Sequence, residues 1–200
     1  MSHTSALLVI DVQNDFCEGG ALAVEKGSEV VEPINVLMKS FETIVFSQDW
    51  HPKDHQSFAS NHANKQPFDM VEMPYGRQVL WPEHCLQGSS GAKFHEKIEV
   101  NRAHMIVRKG FRHEIDSYSA FFENDHETAT GLDGYLKSKG LKSVTICGLA
   151  LDFCVFYTAM DAAKLGYDVT VETKACRAID LDGSLEAAMT AMKAAGVTLK

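Results

Sequence analysis

The sequence has few basic residues and no long hydrophobic run. Lysine and arginine number 19 against 27 aspartates and glutamates, which gives a net charge of −8. This balance favours solubility and argues against a surface for nucleic acid or an anionic membrane. No stretch reaches the roughly 18 consecutive apolar residues of a transmembrane helix. The first residues, Met1 to Ser5, are too few and too uncharged for a signal peptide.

Paired cysteines and several common functional motifs are also missing. The five cysteines are odd in number, scattered and without a C-x-x-C pair, so we expect reduced thiols in a cytoplasmic protein, not a disulfide framework. There is no G-x-G-x-x-G, no G-x-x-x-x-G-K-[ST] and no G-x-S-x-G. Nucleotide-binding and serine-hydrolase interpretations therefore lose their usual support. The cysteines are Cys17, Cys85, Cys147, Cys154 and Cys176.

Short apolar runs alternate with helical patterns along the chain. The length of 200 residues, 45% of them hydrophobic, suits one domain, residues 1–200, with a buried core. Continuous apolar runs are typical of strands buried on both faces. Six runs predict strands at Ala6–Ile10, Thr43–Phe46, Met105–Val107, Val144–Cys147, Val169–Val171 and Val197–Leu199. Helical patterns cover about 30–41, 129–139, 154–165 and 185–195, and glycines Gly140, Gly166 and Gly196 follow the last three.

The predicted fold is a three-layer α/β/α domain. Strands that alternate with helices imply a mostly parallel six-stranded sheet covered on both faces, and right-handed crossovers make it doubly wound. This rhythm breaks between about residues 48 and 103, after the second strand. The segment holds four of the five prolines and five of the nine histidines. A connection this long is usually functional or disordered, and its aromatic residues argue against disorder.

Polar side chains follow four of the predicted strands. Asp11 follows the first, Asp49 and His51 follow the second, Lys109 follows the third and Cys154 comes after the fourth. Ligands of open α/β sheets bind beyond the carboxyl ends of the strands, so this convergence predicts a site there. Each residue alone has a plainer explanation, because aspartates are common in turns and helix caps.

Cys154 lies between an apolar run and a helical pattern that starts near Val155. A thiol at this turn would sit at the positive end of a helix, where a thiolate is stabilised and becomes a nucleophile. The alternative is a buried structural cysteine.

A carboxylate and several imidazoles suggest a metal site. Asp49 and His51 are separated by one residue, so in an extended segment they point to the same side and can share a divalent metal. His84 is the best candidate for a third ligand. His55 lies four residues after His51, but the intervening proline disfavours a helical clamp. Cys85 could be a further ligand, but we favour a role as a small buried residue. The alternative to a metal site is that these residues are surface histidines and a loop aspartate.

Aromatic side chains near the same edge could enclose a flat ring. They are more often core residues, so this assignment is open on their positions alone. The residues are Phe16, Trp81, Tyr118 and Phe153.

Six segments carry motifs of a known family. They are 8–16 (LVIDVQNDF), 47–52 (SQDWHP) with His55 and Ser57-Phe58 after it, 81–85 (WPEHC), 109–110 (KG), 116–121 (DSYSAF) and 148–155 (GLALDFCV). Through them the chain resembles, over essentially its full length, the nicotinamidases or pyrazinamidases of the isochorismatase-like cysteine hydrolases. The Asp, Lys and Cys motifs mark the wider superfamily. The Asp-Trp-His and Trp-Pro-x-His-Cys motifs are more specific to nicotinamidases.

The resemblance implies a catalytic triad and an oxyanion hole. Asp11 would act as general base, Lys109 would stabilise the thiolate, and Cys154 would attack the amide carbon. The backbone N–H groups of Ala150 and Cys154 would bind the oxyanion, with a cis peptide before Ala150. Phe153 departs from the Tyr or His that relatives often carry beside the nucleophile.

The resemblance also implies a metal, a substrate and a product. One divalent ion, zinc in preference to iron or manganese, would be held by Asp49, His51 and His84, with His55 left open as a further ligand. Nicotinamide would be cleaved through a thioester to nicotinate and ammonia for NAD salvage, and pyrazinamide would be cleaved too. The implied substrate-binding residues are Phe16, Leu22, Trp81, Tyr118, Leu149 and Phe153.

Two other functions stay open at this point. A carbamoyl or ureido hydrolase of the same superfamily would keep Asp11, Lys109 and Cys154 without needing the metal ligands. A metal- or ligand-binding protein without turnover would use the site only for binding. The expected partner is a small-molecule substrate, with no nucleic acid and no membrane, and the sequence leaves a homo-oligomer open.

Overall fold

A computed structural model of the chain describes residues 5–200, so the interpretation of Met1 to Thr4 as lacking a signal peptide lies outside the described residues. The strands are β1 Ser5–Ile10, β2 Thr43–Asp49, β3 Met70–Met73, β4 Gly76–Val79, β5 Met105–Lys109, β6 Ser143–Leu149, β7 Asp168–Arg177 and β8 Thr198–Leu199. The helices are α1 Val31–Leu37, α2 Leu132–Ser138, α3 Phe156–Lys164 and α4 Ser184–Ala194.

Six of these strands form one parallel sheet, and the predicted doubly wound α/β fold is confirmed. The strand order is β5-β2-β1-β6-β7-β8, and every neighbouring pair is parallel. The chain first moves outward through β2 to β5, then returns to the other side of β1 at β6. With right-handed crossovers, α1 therefore covers one face, and α3 and α4 cover the other. The reversal leaves a crevice beyond the carboxyl ends of β1 and β6, where such sheets bind ligands.

All six predicted strands are present, but several extend further than their apolar runs. The prediction for β2 stopped at Phe46, whereas the strand continues through three polar residues to Asp49. The prediction for β5 stopped at Val107, whereas the strand ends at Lys109. These extensions pair with each other, Gln48 with Arg108 and Asp49 with Lys109. Backbone pairing, which does not depend on apolar side chains, thus carries polar residues into the site on regular strands.

The helices occupy the predicted regions; α1, α2 and α3 are shorter than their patterns, and α4 is shifted by one residue. The helical pattern at 30–41 becomes α1 and a 3-10 turn, Met38–Ser40. The pattern at 154–165 begins instead with a π-helical turn, Leu151–Val155, and α3 starts only at Phe156. The glycines predicted to end three helices have positive φ angles of 66°, 88° and 81°. Those residues are Gly140, Gly166 and Gly196.

The segment between β2 and β5 is ordered and contains an antiparallel hairpin, β3–β4, that the sequence pattern did not predict. The pattern was missed because both strands lie largely exposed, and the one fully buried side chain of β4 is the polar Gln78. A backbone bridge between His51 and Leu86 lies within the segment, and one between Gln13 and Phe94 joins it to the rest of the molecule. The assignment of residues 1–200 to a single domain stays a prediction.

Within residues 5–200, no helix has the length and apolar character needed to cross a lipid bilayer.

Two glycines make a matched test of the packing between β1 and β6. Gly148 has φ +120°, and a Cβ there would lie 2.1 Å from the Ile10 carbonyl oxygen. Gly134 lies inside α2, and a Cβ built there would have nothing within 4 Å. We expect Gly148→Ala to lower the free energy of unfolding by about 3 kcal/mol or more. Gly134→Ala should raise it by about 0.5–1 kcal/mol, because alanine favours the helix.

Urea unfolding of both variants beside the parent measures these changes. A Gly148→Ala variant as stable as the parent would contradict the close approach of the two strands.

Candidate active site

The polar residues that follow the strands meet at one edge of the sheet. Asp11 follows β1, Asp49 ends β2, Lys109 ends β5 and Cys154 lies in the π-helical turn after β6. One oxygen of each carboxylate and the Cys154 sulfur lie within 4.8 Å of one another. All four residues are buried. The predicted convergence of strand ends is therefore present in the structure, while the roles of these residues stay predictions.

The Lys109 ammonium lies at the centre of this cluster. Its Nζ is 2.8 Å from Asp11 Oδ2, 2.5 Å from Asp49 Oδ1 and 3.4 Å from Cys154 Sγ. It also donates a hydrogen bond of 2.8 Å to the Ser117 carbonyl. Burial alone would lower the pKa of Lys109, but Asp11 and Asp49 outweigh it and hold the pKa well above its usual range. The group is therefore a permanent cation in a water-poor setting, where its field on neighbouring charges is strong.

Asp11 is held by the end of β2. Its Oδ1 accepts a hydrogen bond of 2.6 Å from the Ser47 hydroxyl, and its backbone adopts φ +45° where β1 ends. Burial raises the pKa of Asp11, and the neighbouring Asp49 adds to this, against the opposing effect of Lys109. A carboxylate with a raised pKa is a stronger base, which suits it to accept a proton.

Cys154 differs from the electrostatic expectation. The pattern predicted a thiol whose ionised form is stabilised by a helix start, but burial raises the pKa of Cys154 well above its usual range. Lys109 opposes this rise, whereas Asp11 and Asp49 add to it. The reason is local: α3 begins two residues later, at Phe156, and two carboxylates face the sulfur. A raised pKa favours the thiol, so forming a thiolate requires a proton acceptor at the site.

Three side chains form a donor set that fits a divalent metal. The Nδ1 of His51 is 2.7 Å from the Gly110 carbonyl oxygen, and the Nδ1 of His84 is 2.8 Å from the Pro82 carbonyl oxygen. Both rings thereby turn Nε2 towards Asp49 Oδ2, at 3.6 Å and 3.7 Å. The buried His51 Nε2 has no hydrogen-bond partner among the described residues. Carbonyl-oriented imidazoles beside a carboxylate are the usual environment of a protein-bound zinc.

The local backbone is adapted to this arrangement. Gly110 has φ +63°, and a Cβ at this position would lie 2.3 Å from the His51 ring. A residue with a side chain would therefore displace the imidazole.

The Asp49 carboxylate lies between the Lys109 cluster and the two imidazoles, since Oδ1 contacts Lys109 and Oδ2 faces His51 and His84. Although burial raises the pKa of Asp49, the Lys109 ammonium and the imidazoles outweigh it and hold the pKa well below its usual range. Asp49 is therefore available as an anionic ligand.

The two additional ligand candidates are arranged differently. His55 is fully buried, with Nδ1 2.7 Å from Ser57 Oγ and Nε2 3.2 Å from the Ile115 carbonyl oxygen. Both of its ring nitrogens thus already have partners, and burial lowers its pKa to about 4. Cys85 is fully buried, as expected of a small core residue, and burial raises the pKa of its thiol.

A small pocket opens beside Cys154. It contains five of the six predicted substrate-binding residues, namely Phe16, Leu22, Trp81, Tyr118 and Phe153. The sixth, Leu149, is a correction: it is fully buried at the end of β6 and does not line the pocket. Its side chain belongs to the core because the following residue, Ala150, takes the position facing the pocket.

Ala150 and Cys154, whose N–H groups were predicted to form the oxyanion hole, both line this pocket. The peptide bond between Leu149 and Ala150 is cis, as the resemblance implied.

The pocket also contains two residues that the sequence reasoning did not assign. Asp116 lies in the DSYSAF segment, two residues before Tyr118, and this spacing could have indicated that it lines the same pocket. Ile179 follows β7. It was missed because the predicted strand ended at Val171, six residues before the end of β7 at Arg177.

Comparison with known proteins places the chain among hydrolases. The isochorismatase domain family matches residues 5–199. A curated nicotinamidase of Acinetobacter baylyi is 53% identical over 98% of this chain and 92% of its own length. The solved nicotinamidase and pyrazinamidase structure of Acinetobacter baumanii superposes with a TM-score of 0.98 and 51% identity, over 100% of this chain and 96% of that chain. A pyrazinamidase of Pyrococcus horikoshii, solved in complex with zinc, has a TM-score of 0.78 and 31% identity over 98% of both chains.

Removal of an imidazole should remove the metal. We expect purified His51→Ala and His84→Ala to lose the bound divalent ion, because each change leaves two of the three donors. Elemental analysis of the metal content per chain measures this. His126→Asn, at an exposed histidine, and Cys154→Ala should both retain the ion. Full metal content in His51→Ala would exclude His51 as a ligand.

Proposed function

Because this chain belongs to the isochorismatase domain family and within it to the nicotinamidases, we propose that it hydrolyses nicotinamide to nicotinate and ammonia. The relatives named as nicotinamidases match it over nearly the whole chain. Pyrazinamide, whose ring is close in size and shape, is a second substrate, as the relatives named as pyrazinamidases suggest. The released nicotinate re-enters NAD synthesis by salvage.

One observation carries the proposal. A single buried ammonium, Lys109 Nζ, contacts the carboxylates of both Asp11 and Asp49 and lies 3.4 Å from the sulfur of Cys154. The nucleophile, a base and a metal-ligating carboxylate are thereby held around one cation. Such a group of buried titratable residues beside a pocket is typical of a catalytic site.

The first chemical step needs a proton acceptor, and Asp11 supplies it. The Cys154 thiol gives its proton to the Asp11 carboxylate as the sulfur attacks the amide carbon, while Lys109 stabilises the developing thiolate. The oxyanion formed on the carbonyl oxygen is bound by the N–H groups of Ala150 and Cys154. Asp11 then returns the proton to the leaving nitrogen, and ammonia departs.

The second step releases the acid. Asp11 takes a proton from a water molecule as the water attacks the thioester carbon. The thiolate of Cys154 leaves and takes back the proton from Asp11, and the acid product loses its own proton to solvent as nicotinate. Because one carboxylate serves both as base and as acid, its raised pKa assists each half of the cycle.

The metal site and the pocket together fix the substrate. Asp49, His51 and His84 would hold one divalent ion, which we propose is zinc, iron and manganese being the alternatives for such a donor set. When bound, the ion supplies a Lewis-acid contact for the pyridine nitrogen and holds the ring in place. The aromatic side chains of Phe16, Trp81, Tyr118 and Phe153 and the side chain of Leu22 enclose the ring.

The metal-ligand set favours this activity over the two alternatives. A carbamoyl or ureido hydrolase would have no use for the two imidazoles turned towards Asp49 Oδ2. A protein that only binds a ligand would have no use for a thiol beside a buried base and cation. The five cysteines are all free, which supports a cytoplasmic location. We expect a small-molecule substrate as the partner, with no nucleic acid and no membrane, and a second copy of the chain stays open.

Ammonia release from nicotinamide tests the activity directly. Cys154→Ala should lower the rate by about a thousandfold or more while retaining the metal, because no nucleophile remains. Asp11→Asn should be similarly inactive, since the amide cannot accept the thiol proton. A coupled ammonia assay measures both rates, with circular dichroism as the control for folding.

The same assay separates the candidate functions. No release by the folded, metal-loaded parent would contradict nicotinamidase activity, and a ureido substrate would then be the next to assay. Near-normal turnover by Asp11→Asn would exclude Asp11 as the base.

A further inference from the structure

Gln78 is a buried polar residue on an otherwise exposed hairpin. It lies on β4 with 1% of its surface exposed, whereas its neighbours Gly76 and Arg77 are exposed. Burial of an amide is unfavourable unless its donors and acceptor are satisfied. All of them are satisfied here, and the partners belong to the segments that form the pocket wall.

The amide nitrogen of Gln78 contacts two residues of that wall. Nε2 donates hydrogen bonds of 2.7 Å to the Val79 carbonyl oxygen, 2.8 Å to Tyr118 Oη and 3.1 Å to Asp116 Oδ2, so its two hydrogens are shared among three acceptors. Tyr118 Oη accepts a further hydrogen bond, of 3.0 Å, from the indole N–H of Trp81. Two pocket rings are therefore joined to the Gln78 amide through one hydroxyl.

The amide oxygen of Gln78 secures the same segment from the other side. Oε1 accepts hydrogen bonds of 3.1 Å from Asn124 Nδ2 and 3.3 Å from Tyr75 Oη. Asn124 Oδ1 in turn accepts a hydrogen bond from the backbone N–H of Tyr118, and the backbone N–H of Asn124 donates one to the Asp116 carbonyl oxygen. The donor and acceptor positions fix the orientation of the amide, because a flipped Gln78 would direct its oxygen at the Asp116 carboxylate.

The rings held in this way pack against each other at the pocket. The ring centroids of Trp81 and Tyr118 lie 6.1 Å apart, with an interplanar angle of 82°. Both rings pack edge-to-face on Phe153, with centroid distances of 5.0 Å for Trp81 and 5.8 Å for Tyr118. Burial and the Asp116 carboxylate raise the pKa of Tyr118, so its hydroxyl stays neutral and can accept both N–H groups. A change in the position of Tyr118 would therefore alter the width of the slot that receives a flat ring.

We propose that Gln78 is a positioning residue that sets substrate recognition by holding Tyr118 and Trp81 at the width of the aromatic ring. This inference rests on the proposed function, since the ring is that of the amide substrate. We expect Gln78 to act chiefly on binding. Its path to Lys109 is indirect, through the Asp116 carboxylate and the Ser117 backbone, and the Ser117 hydroxyl has separate hydrogen bonds to the Ser119 and Phe122 carbonyls.

The kinetic test uses Gln78→Met, which keeps the length of the side chain and removes its hydrogen bonds. We expect KM for nicotinamide to rise about tenfold with kcat within about twofold of the parent. Tyr118→Phe should also raise KM. In the double variant, KM should rise no further than in the more affected single variant, because both changes remove the same interaction. Tyr75→Phe removes one hydrogen bond to Gln78 on the side away from Tyr118, and it should leave KM unchanged.

An NMR measurement tests the same contact without substrate. The indole N–H resonance of Trp81, assigned with Trp50→Phe, should shift and exchange faster with solvent in Gln78→Met and in Tyr118→Phe, while that of Trp50 stays in place. Unchanged KM in Tyr118→Phe, fully additive effects, or an unchanged Trp81 resonance in Gln78→Met would overturn the proposal. If the parent releases no ammonia, the proposed function fails, and the indole resonance alone decides the role of Gln78.

Discussion

The buried Lys109 ammonium is the interaction on which the rest of the site depends. A lone ammonium inside a protein is strongly disfavoured by the loss of its hydration, and it persists only with nearby anions and acceptors. Here two carboxylates and a backbone carbonyl surround it. Because these groups come from the ends of β1 and β2 and from the loop after β5, the cation joins separate parts of the chain at one point. Its charge holds the pKa of Asp49 below its usual range, whereas burial and the neighbouring Asp49 outweigh it at Asp11, so the pKa values of the two carboxylates shift in opposite directions.

The segment between β2 and β5 completes the site from above the sheet. It contributes His51 and His84, and backbone carbonyls orient both rings, one of them from Gly110 at the end of β5. The same segment contributes Trp81 and, through its hairpin, Gln78. The strand ends and the turn after β6 thus supply the proposed nucleophile and the charges around it, while the long connection supplies the two imidazoles proposed as metal donors and the Trp81 ring of the pocket. Asp49, at the end of β2, belongs to both sets.

Much of the fold could be predicted because the strands that build it are continuous apolar runs. The order of strands and helices followed from these runs, and the positions of the helix ends followed from glycines that take positive φ. Polar strand ends at Asp49, Lys109 and Arg177 could not be predicted, since backbone pairing and not hydrophobic burial extends those strands. The β3–β4 hairpin was missed for the related reason that its one fully buried side chain is an amide. Ile179 was missed as a pocket residue because β7 extends beyond its apolar run, to Arg177.

The sequence by itself determined the fold class and brought Asp11, Asp49, Lys109 and Cys154 to one edge, because parallel strands must end on the same side of their sheet. Only the tertiary structure decided the protonation of these groups and the shape of the pocket. A pKa depends on burial and on charges that come from distant segments, which is why the pKa of Cys154 is raised although its local sequence favoured a thiolate. Likewise, which of Leu149 and Ala150 faces the pocket, and which imidazole nitrogens are free, depends on contacts that no local pattern encodes.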